Sequence, residues 1–162
     1  MSFLVGPYDS SDRDGVLALV LDIQRNEFGV PITAADQPDL SDVPAFYGRG
    51  DGGFWVAREG NAIVGTIGLL DHGDGQAALR KMFVRADRRG RDFGVASRLF
   101  DALLSHARDR GIRCIRLGTR PEMRVAHRFY EKRGFVAIDA AALPASFPRM
   151  QVDSVFYRLD LD

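Results

Sequence analysis

The stretch MFVRADRRGRDFGVASRL, residues 82–99, says most about the fold and the chemistry of this chain. A strand-like segment leads into a loop of arginines and glycines, and the loop opens directly onto a helix predicted over 95–110. The first turn of a helix presents backbone N–H groups without intrahelical acceptors and the positive end of the helix dipole. A glycine-bearing loop at such a place can wrap a phosphate, so the stretch predicts an anion-binding loop.

Two common nucleotide-binding patterns do not fit this loop. The mononucleotide P-loop needs a glycine, four residues and then Gly-Lys-Ser/Thr, and the chain has no such run. The dinucleotide fingerprint needs three glycines at fixed spacing, and only Gly90 and Gly94 are present. At this point a plain glycine turn with incidental surface arginines stays open as the alternative.

Strands and helices are predicted on both sides of the loop from hydrophobic periodicity and from glycine and proline breaks. The predicted strands cover 3–5, 54–59, 62–70, 76–85, 112–117, 135–138 and 154–161. The predicted helices cover 10–28, 34–47 with interruptions, 95–110 and 121–133. Helices alternate with strands in the second half, which is typical of a mixed α/β protein. The 162 residues match about one domain's length, so we expect a single domain over 1–162.

The net charge of zero conceals a strong division along the chain. Residues 1–79 carry a net charge of −8, residues 80–133 of +10 and residues 134–162 of −2. The basic block contains the glycine loop, and such an asymmetry indicates an anionic partner.

Cysteine content and hydropathy bound the compartment. Cys114 is the only cysteine, so an intrachain disulfide or a cysteine cluster is excluded. The first residues lack a basic n-region, and no apolar run approaches about 18 residues. We therefore expect a cytoplasmic protein without a membrane partner. No two-histidine or clustered-carboxylate spacing predicts a metal site, and His72 and His106 are expected at the surface.

A second motif lies downstream of the loop. The segment AHRFYEKRGF, residues 126–135, resembles the helix-to-strand signature A-x-x-x-Y-x-x-x-G-F of the GNAT superfamily of N-acetyltransferases. The loop RGRDFG, residues 89–94, resembles the acetyl-CoA loop of that superfamily, R-x-x-G-x-G/A. The resemblance implies an α/β fold with a mixed, mostly antiparallel central sheet flanked by helices on both faces. It also implies transfer of an acetyl group from acetyl-CoA directly to a primary amine, through a tetrahedral intermediate.

The same resemblance places the coenzyme. It implies that the pantetheine arm lies along Met82, Phe83 and Val84. The phosphates are expected on the backbone amides of the loop, which consists of Arg89, Gly90, Arg91, Asp92, Phe93, Gly94 and Val95. Asp92 stands where the family pattern has a glycine, and Met123 stands where many relatives have an asparagine.

The chemistry needs a proton for the departing thiolate, and Tyr130 matches the family tyrosine in that role. A Tyr hydroxyl stays protonated at neutral pH and can donate to a thiolate. A core aromatic beside Phe129 is the alternative interpretation. Glu27 and His127 are candidates for the base. The alternative for Glu27 is a solvated residue at the end of a helix, and the alternative for His127 is a partly exposed histidine without a catalytic role. Water could also carry the proton. The resemblance places the oxyanion at a strand amide near Phe83.

The acceptor pocket is expected between the first helices and the late loop. By analogy its candidates are Gln24, Phe28, Phe46, Tyr47, Phe147, Arg149 and Met150, with ordinary packing as the alternative for each. The acceptor is expected to be a small-molecule or protein amine, and the family resemblance makes a homodimer possible. A non-catalytic acyl-CoA-binding or sensor domain is the second hypothesis. Nucleic-acid binding is not expected, because the arginines are not interleaved with exposed aromatic residues.

Overall fold

A computed structural model of the protein describes residues 2–90 and 93–161. Arg91 and Asp92, both predicted to contact the coenzyme, lie outside the described residues. The strands of the described part are β1 (Leu4–Pro7), β2 (Gly53–Glu59), β3 (Ala62–Gly73), β4 (Gln76–Val84), β5 (Cys114–Thr119), β6 (Val136–Ile138) and β7 (Val155–Asp160). Its α-helices are α1 (Arg13–Asp22), α2 (Pro38–Ser41), α3 (Val43–Tyr47), α4 (Val95–Asp109) and α5 (Arg124–Lys132).

The described residues form one seven-stranded sheet in the order β1-β2-β3-β4-β5-β7-β6. The neighbouring strands run antiparallel except for β4 and β5, which are parallel. The expected mixed, mostly antiparallel sheet is therefore confirmed. The β4–β5 pairing spans only residues 76–78 and 114–116. Beyond this pairing the two strands separate. We call the gap between residues 79–84 of β4 and residues 117–119 of β5 the opening.

A bulge shapes β4 beside the opening. Lys81 and Met82 together stand opposite one residue of β3, Ile67, because the strand register shifts there. Lys81 has a φ of +54°, a left-handed conformation that costs a non-glycine residue about 1–2 kcal/mol. The Thr66 hydroxyl donates to the Lys81 carbonyl at 2.7 Å and holds the bulge in place.

Helices cover both faces of the sheet, as expected. On one face, the α4 face, Leu99 and Leu103 of α4 pack with Leu117 of β5 and with Tyr130 of α5 in the main core. On the other face, the α1 face, a second core joins α1, α2 and α3 to β2. A smaller cluster around Phe147, in the loop before β7, extends this second layer over β4.

Two predicted helices differ from the observed ones. The segment 34–47 forms a 3-10 turn followed by α2 and α3, because Pro38 and Pro44 each occupy the start of a new helix, where a missing N–H costs little. Pro121 lies in a turn ahead of α5 rather than in its first turn. Val125, expected on the buried stripe of that helix, is 77% exposed.

The surface positions expected for His72 and His106 are wrong, because both side chains are half-buried. Nδ1 of His72 lies 2.9 Å from the Ser146 hydroxyl. Nε2 of His106 lies 2.9 Å from the carbonyl of Asp51, and its ring packs edge-on against Trp55. His72 therefore ties the late loop to β3, and His106 ties the loop before β2 to α4.

Candidate active site

A groove of about 770 Å³ runs between the start of α4, the end of β4 and α5. Met82, Phe83 and Val84, the three residues predicted to flank the pantetheine arm, line this groove together with Gly90 and Gly94. Because β4 has left β5 at this point, the edge of residues 79–84 has backbone groups available to the groove. The structure thus brings the loop and the strand of the quoted stretch to one concave surface.

The amides available for an anion come from the first turn of α4. The N–H groups of Phe93 and Gly94 donate to the Gly90 carbonyl at 3.3 and 3.2 Å, so they are used within the loop. Gly94 caps the helix with a φ of +70° and turns the chain into α4. The next three N–H groups, those of residues 95–97, have no intrahelical acceptor, and Ala96 and Ser97 line the groove.

Cations surround the groove, and they fall into two groups. Arg88 is held by Glu59 through two hydrogen bonds of 2.7 and 2.8 Å. By contrast, the structure gives no ion pair within residues 2–90 and 93–161 for three cations of α5 that line the groove, which are Arg124, Arg128 and Lys132. These three charges are available to the phosphates of a ligand.

Glu27 reaches the groove, but its carboxylate is already engaged. Nη1 and Nη2 of Arg89 donate to its two oxygens at 2.6 and 2.7 Å. Nε of Arg89 donates to the Val84 carbonyl at 2.8 Å. Arg89 therefore ties the end of the first helical segment to the end of β4.

Tyr130 is buried in the α4-face core, with 6% of its surface exposed. Its ring packs against Phe129, Phe135 and Tyr157 at centroid distances of 5.6–6.0 Å. Its hydroxyl makes no hydrogen bond to the described residues. Burial, with smaller contributions from the nearby Asp153 and Tyr157, raises the pKa of Tyr130 above its ordinary value, so the hydroxyl carries its proton at neutral pH.

His127 lies one turn before Tyr130 on α5. Its Nε2 lies 3.0 Å from the Arg120 carbonyl, and its ring centroid lies 5.8 Å from that of Tyr157. A carbonyl only accepts, so Nε2 carries the hydrogen and Nδ1 is the nitrogen that could take a proton.

A buried polar network lies on the α1 face beside the β4 bulge. The Gln37 amide donates to the Gln24 side-chain oxygen, and Nζ of Lys81 donates to the Gln37 oxygen at 2.6 Å. Asp39 accepts from the Tyr47 hydroxyl at 2.6 Å and lies 3.7 Å from Nζ of Lys81. Burial lowers the pKa of Lys81. Sequence reasoning proposed only Gln24 and Tyr47 here, because the contacts that join the network come from segments far apart in sequence.

The candidates for the acceptor pocket from the first half of the chain occupy different environments. Phe28 is 37% exposed and lines the groove beside Glu27. Phe46 is half-buried and packs against the second core. Tyr47, with 1% of its surface exposed, is buried in the second core.

The late-loop candidates gather over the α1 face of the sheet. Phe147 is buried against Phe156, and the Arg149 guanidinium lies 5.1 Å from the centre of the Phe156 ring. Nη2 of Arg80 lies 3.2 Å from the sulfur of Met150. The loop thus packs on β4 and β7 close to the opening.

Several acids of the first block, residues 1–79, form ion pairs with arginines within the fold. Asp12 accepts from Arg58, Glu59 from Arg88, and Glu27 from Arg89. Other acids of this block are exposed, among them Asp9, Asp22, Asp36 and Asp42.

A comparison of the sequence with known families identifies the family of this chain. Residues 17–135 match the acetyltransferase (GNAT) family. The chain belongs to this family. A GNAT-family acetyltransferase from Staphylococcus aureus Mu50 superposes with a TM-score of 0.93 at 34% identity, over 99% of this chain and 100% of that protein. The resemblance found in the two motifs is confirmed.

Curated relatives from animals match a shorter region. "Probable N-acetyltransferase family 8 member 5" of Mus musculus is 31% identical over 61% of this chain and 45% of its own length. "N-acetyltransferase 8" of Rattus norvegicus is 36% identical over 60% of this chain and 46% of its own. The chain thus spans about half the length of the curated relatives it matches.

A more distant structure supports the fold. The PaiA N-acetyltransferase of Thermoplasma acidophilum, solved in complex with coenzyme A, superposes with a TM-score of 0.78 at 15% identity, over 99% of this chain and 100% of that protein.

Two features are absent from the described residues, 2–90 and 93–161. No helix among them has the length and apolar character needed to cross a membrane. No group of three or more His, Cys, Asp or Glu side chains among them is arranged to hold a metal ion.

Proposed function

We propose that this chain transfers the acetyl group of acetyl-CoA directly to a primary amine of a small molecule or a protein, through a tetrahedral intermediate. The observation that carries the proposal is the single groove that joins the amides of α4 to the free edge of β4, with Met82, Phe83 and Val84 along its wall. Membership of the GNAT family supports the same reaction.

The groove fits the donor in charge and in shape. The N–H groups of residues 95–97 suit the pyrophosphate, since they combine free donors with the positive end of the α4 dipole. Arg124, Arg128 and Lys132 on the opposite wall suit the ribose phosphate. The free edge of β4 suits the amides of the pantetheine arm, because an extended chain can pair with an unpaired strand. When bound, acetyl-CoA supplies the electrophilic thioester carbonyl.

Tyr130 is the proposed acid of the reaction. Its hydroxyl is protonated at neutral pH and has no partner among the described residues, so it can donate to the sulfur as the thiolate departs. A backbone amide of β4 near Phe83 is the proposed donor to the oxyanion, because the bulge at Lys81 changes the direction of the strand there. Glu27 fits a positioning role better than that of a base, since Arg89 holds both of its oxygens.

The proposal is tested by two measurements on the full chain. Calorimetry with acetyl-CoA should show saturable binding, and absence of binding at millimolar ligand would overturn the proposal. Release of free thiol should then rise when members of a panel of small amines and amine-bearing peptides are added. Saturable binding without amine-dependent thiol release would instead support the non-catalytic acyl-CoA-binding domain.

A further inference from the structure

Asp153, in the loop before β7, lies beside the opening, where β4 and β5 are no longer paired. A Cβ added to Gly118 would stand 2.7 Å from one Asp153 oxygen, so the carboxylate packs directly on the backbone of β5. The Ser154 amide donates to the Thr119 carbonyl at 3.1 Å and fixes the loop at this point. This placement depends on the pairing of β5 with β7, which no local sequence pattern predicts.

Asp153 and Tyr130 lie on opposite faces of the sheet. Leu117 and Tyr130 belong to the α4-face core. Side chains alternate along a strand, so the next residue, Gly118, directs its Cβ position to the α1 face, where Asp153 meets it. The charge of Asp153 nevertheless reaches Tyr130, where it contributes to the raised pKa of the hydroxyl.

Asp153 differs from the other candidate bases in being free. It is half-buried, and the structure shows no hydrogen-bond donor and no ion-pair partner for its carboxylate among residues 2–90 and 93–161. Glu27 has both oxygens on Arg89, and His127 bonds a backbone carbonyl. A half-buried carboxylate without a partner is costly to the fold, which is common at functional sites.

We propose that Asp153 is the proton acceptor for the amine in the acetyl transfer. The inference rests on the proposed function. The amine nitrogen approaches from the α1 face and forms the C–N bond with the thioester carbonyl carbon, and the Asp153 carboxylate takes the proton that the nitrogen loses. The C–S bond breaks with its electron pair on sulfur, and Tyr130 supplies the proton that makes the free thiol. Solvent then returns the proton from Asp153 to the Tyr130 phenolate, so that atoms and charges balance.

The charged groups around Asp153 fit this role. Arg80 and Lys81 face it from β4, Arg120 from the segment after β5 and Arg149 from its own loop. Burial raises the pKa of the Asp153 carboxyl, and these four cations oppose that rise. A carboxylate whose proton affinity is raised by burial is a better acceptor than one in water.

The test uses three variants of the full chain with the best amine from the panel. Asp153→Asn should lower kcat by about 10²-fold or more while the affinity for acetyl-CoA is unchanged. Asp153→Ala should be equally slow, and added formate should restore part of its rate, with a dependence on pH that follows the formate anion. Asp139→Asn, which neutralises an exposed acid of the same connecting region, is the control and should keep the wild-type rate.

Gly118→Ala provides an independent check if the Asp153 variants fold poorly. The added methyl group meets the carboxylate at 2.7 Å, so it displaces Asp153 without removing it, and kcat should fall while acetyl-CoA binding persists. An unchanged kcat in Asp153→Asn, or a slow Asp153→Ala that formate does not restore, would overturn the inference and leave the proposed function standing. A wild-type chain that releases no thiol with any amine would overturn the proposed function and this inference with it.

Discussion

Glu27 and Arg89 form a two-point ion pair beside the groove, with oxygen-to-nitrogen distances of 2.6 and 2.7 Å. Arg89 also donates to the carbonyl of Val84, at the end of β4. The pair therefore connects the helical segment Ile23–Glu27 to the strand that is proposed to hold the pantetheine arm. Glu27 reaches the predicted site, but in contact with a residue of the coenzyme loop rather than free to act on a proton.

Glu27→Gln separates the two roles of this side chain. We expect KM for acetyl-CoA to rise about fivefold with little change in kcat, because a half-exposed ion pair contributes about 1 kcal/mol or less. Steady-state kinetics at varied acetyl-CoA checks this. A fall in kcat of about 10²-fold at unchanged KM would show instead that Glu27 is the base.

The two ends of α4 offer a matched pair of glycines. Gly94 and Gly111 have φ values of +70° and +75°, and a Cβ added at either would meet no atom within 4 Å. Alanine at either position should therefore cost about 1–2 kcal/mol of stability through backbone strain alone. Only Gly94→Ala should weaken acetyl-CoA binding in calorimetry, since its methyl group enters the anion site. Equal binding by both variants would remove the first turn of α4 from the coenzyme site.

Tyr130→Phe tests the proposed acid. Loss of the hydroxyl should lower kcat by about 10²-fold and leave acetyl-CoA affinity unchanged, because the ring keeps its packing in the core. Tyr157→Phe is the control, since its hydroxyl donates to Glu131 at 2.7 Å and has no part in the proposed reaction. A Tyr130→Phe enzyme with wild-type turnover would contradict the assignment.

The raised pKa of Asp153 should also affect the pH dependence of thermal stability. Its folded-state pKa is raised above the ordinary 3.8 by burial, so between these two values the folded state binds more protons than the unfolded state. The stability contributed by this group is therefore present at low pH and is lost as pH rises through the folded-state pKa. Asp153→Asn should melt at or above the wild-type temperature at neutral pH, and this advantage should vanish as the pH falls below 3.8.

Asp12→Asn is the contrasting variant for that measurement. Its carboxylate is buried and bonded to Arg58, so its loss should lower the stability at neutral pH by about 2 kcal/mol. If Asp153→Asn is destabilised to the same degree, the Asp153 carboxylate has a structural partner and its free state is refuted.

The sequence predicted the elements whose signals are local. The stripe of α4, the glycine at its start and the spacing from the loop to Tyr130 can all be read within short segments, and the structure confirms α4 and the sheet type. The motif that carries Tyr130 belongs to the matched family region. Patterns of this kind depend on the helical period and on backbone angles that only glycine adopts readily.

What the sequence did not show depends on contacts between distant segments. Lys81 looks like an ordinary strand residue, but the register shift of β4 against β3 buries it among Gln37 and Asp39. Asp153 looks like a loop acid, and only the pairing of β5 with β7 brings it to Gly118. Strand register follows from the whole sheet, so no local pattern in the sequence reports it.

We propose that the groove serves acetyl transfer and not binding alone. Mass spectrometry of the amine after incubation with the full chain and acetyl-CoA, together with a measurement of the free thiol released, tests this most directly. We expect an amine heavier by one acetyl group, formed in equal amount to the thiol, and we expect both products to form about 10²-fold more slowly in Tyr130→Phe. Tight acetyl-CoA binding with no acetylated amine across the panel would contradict the proposal.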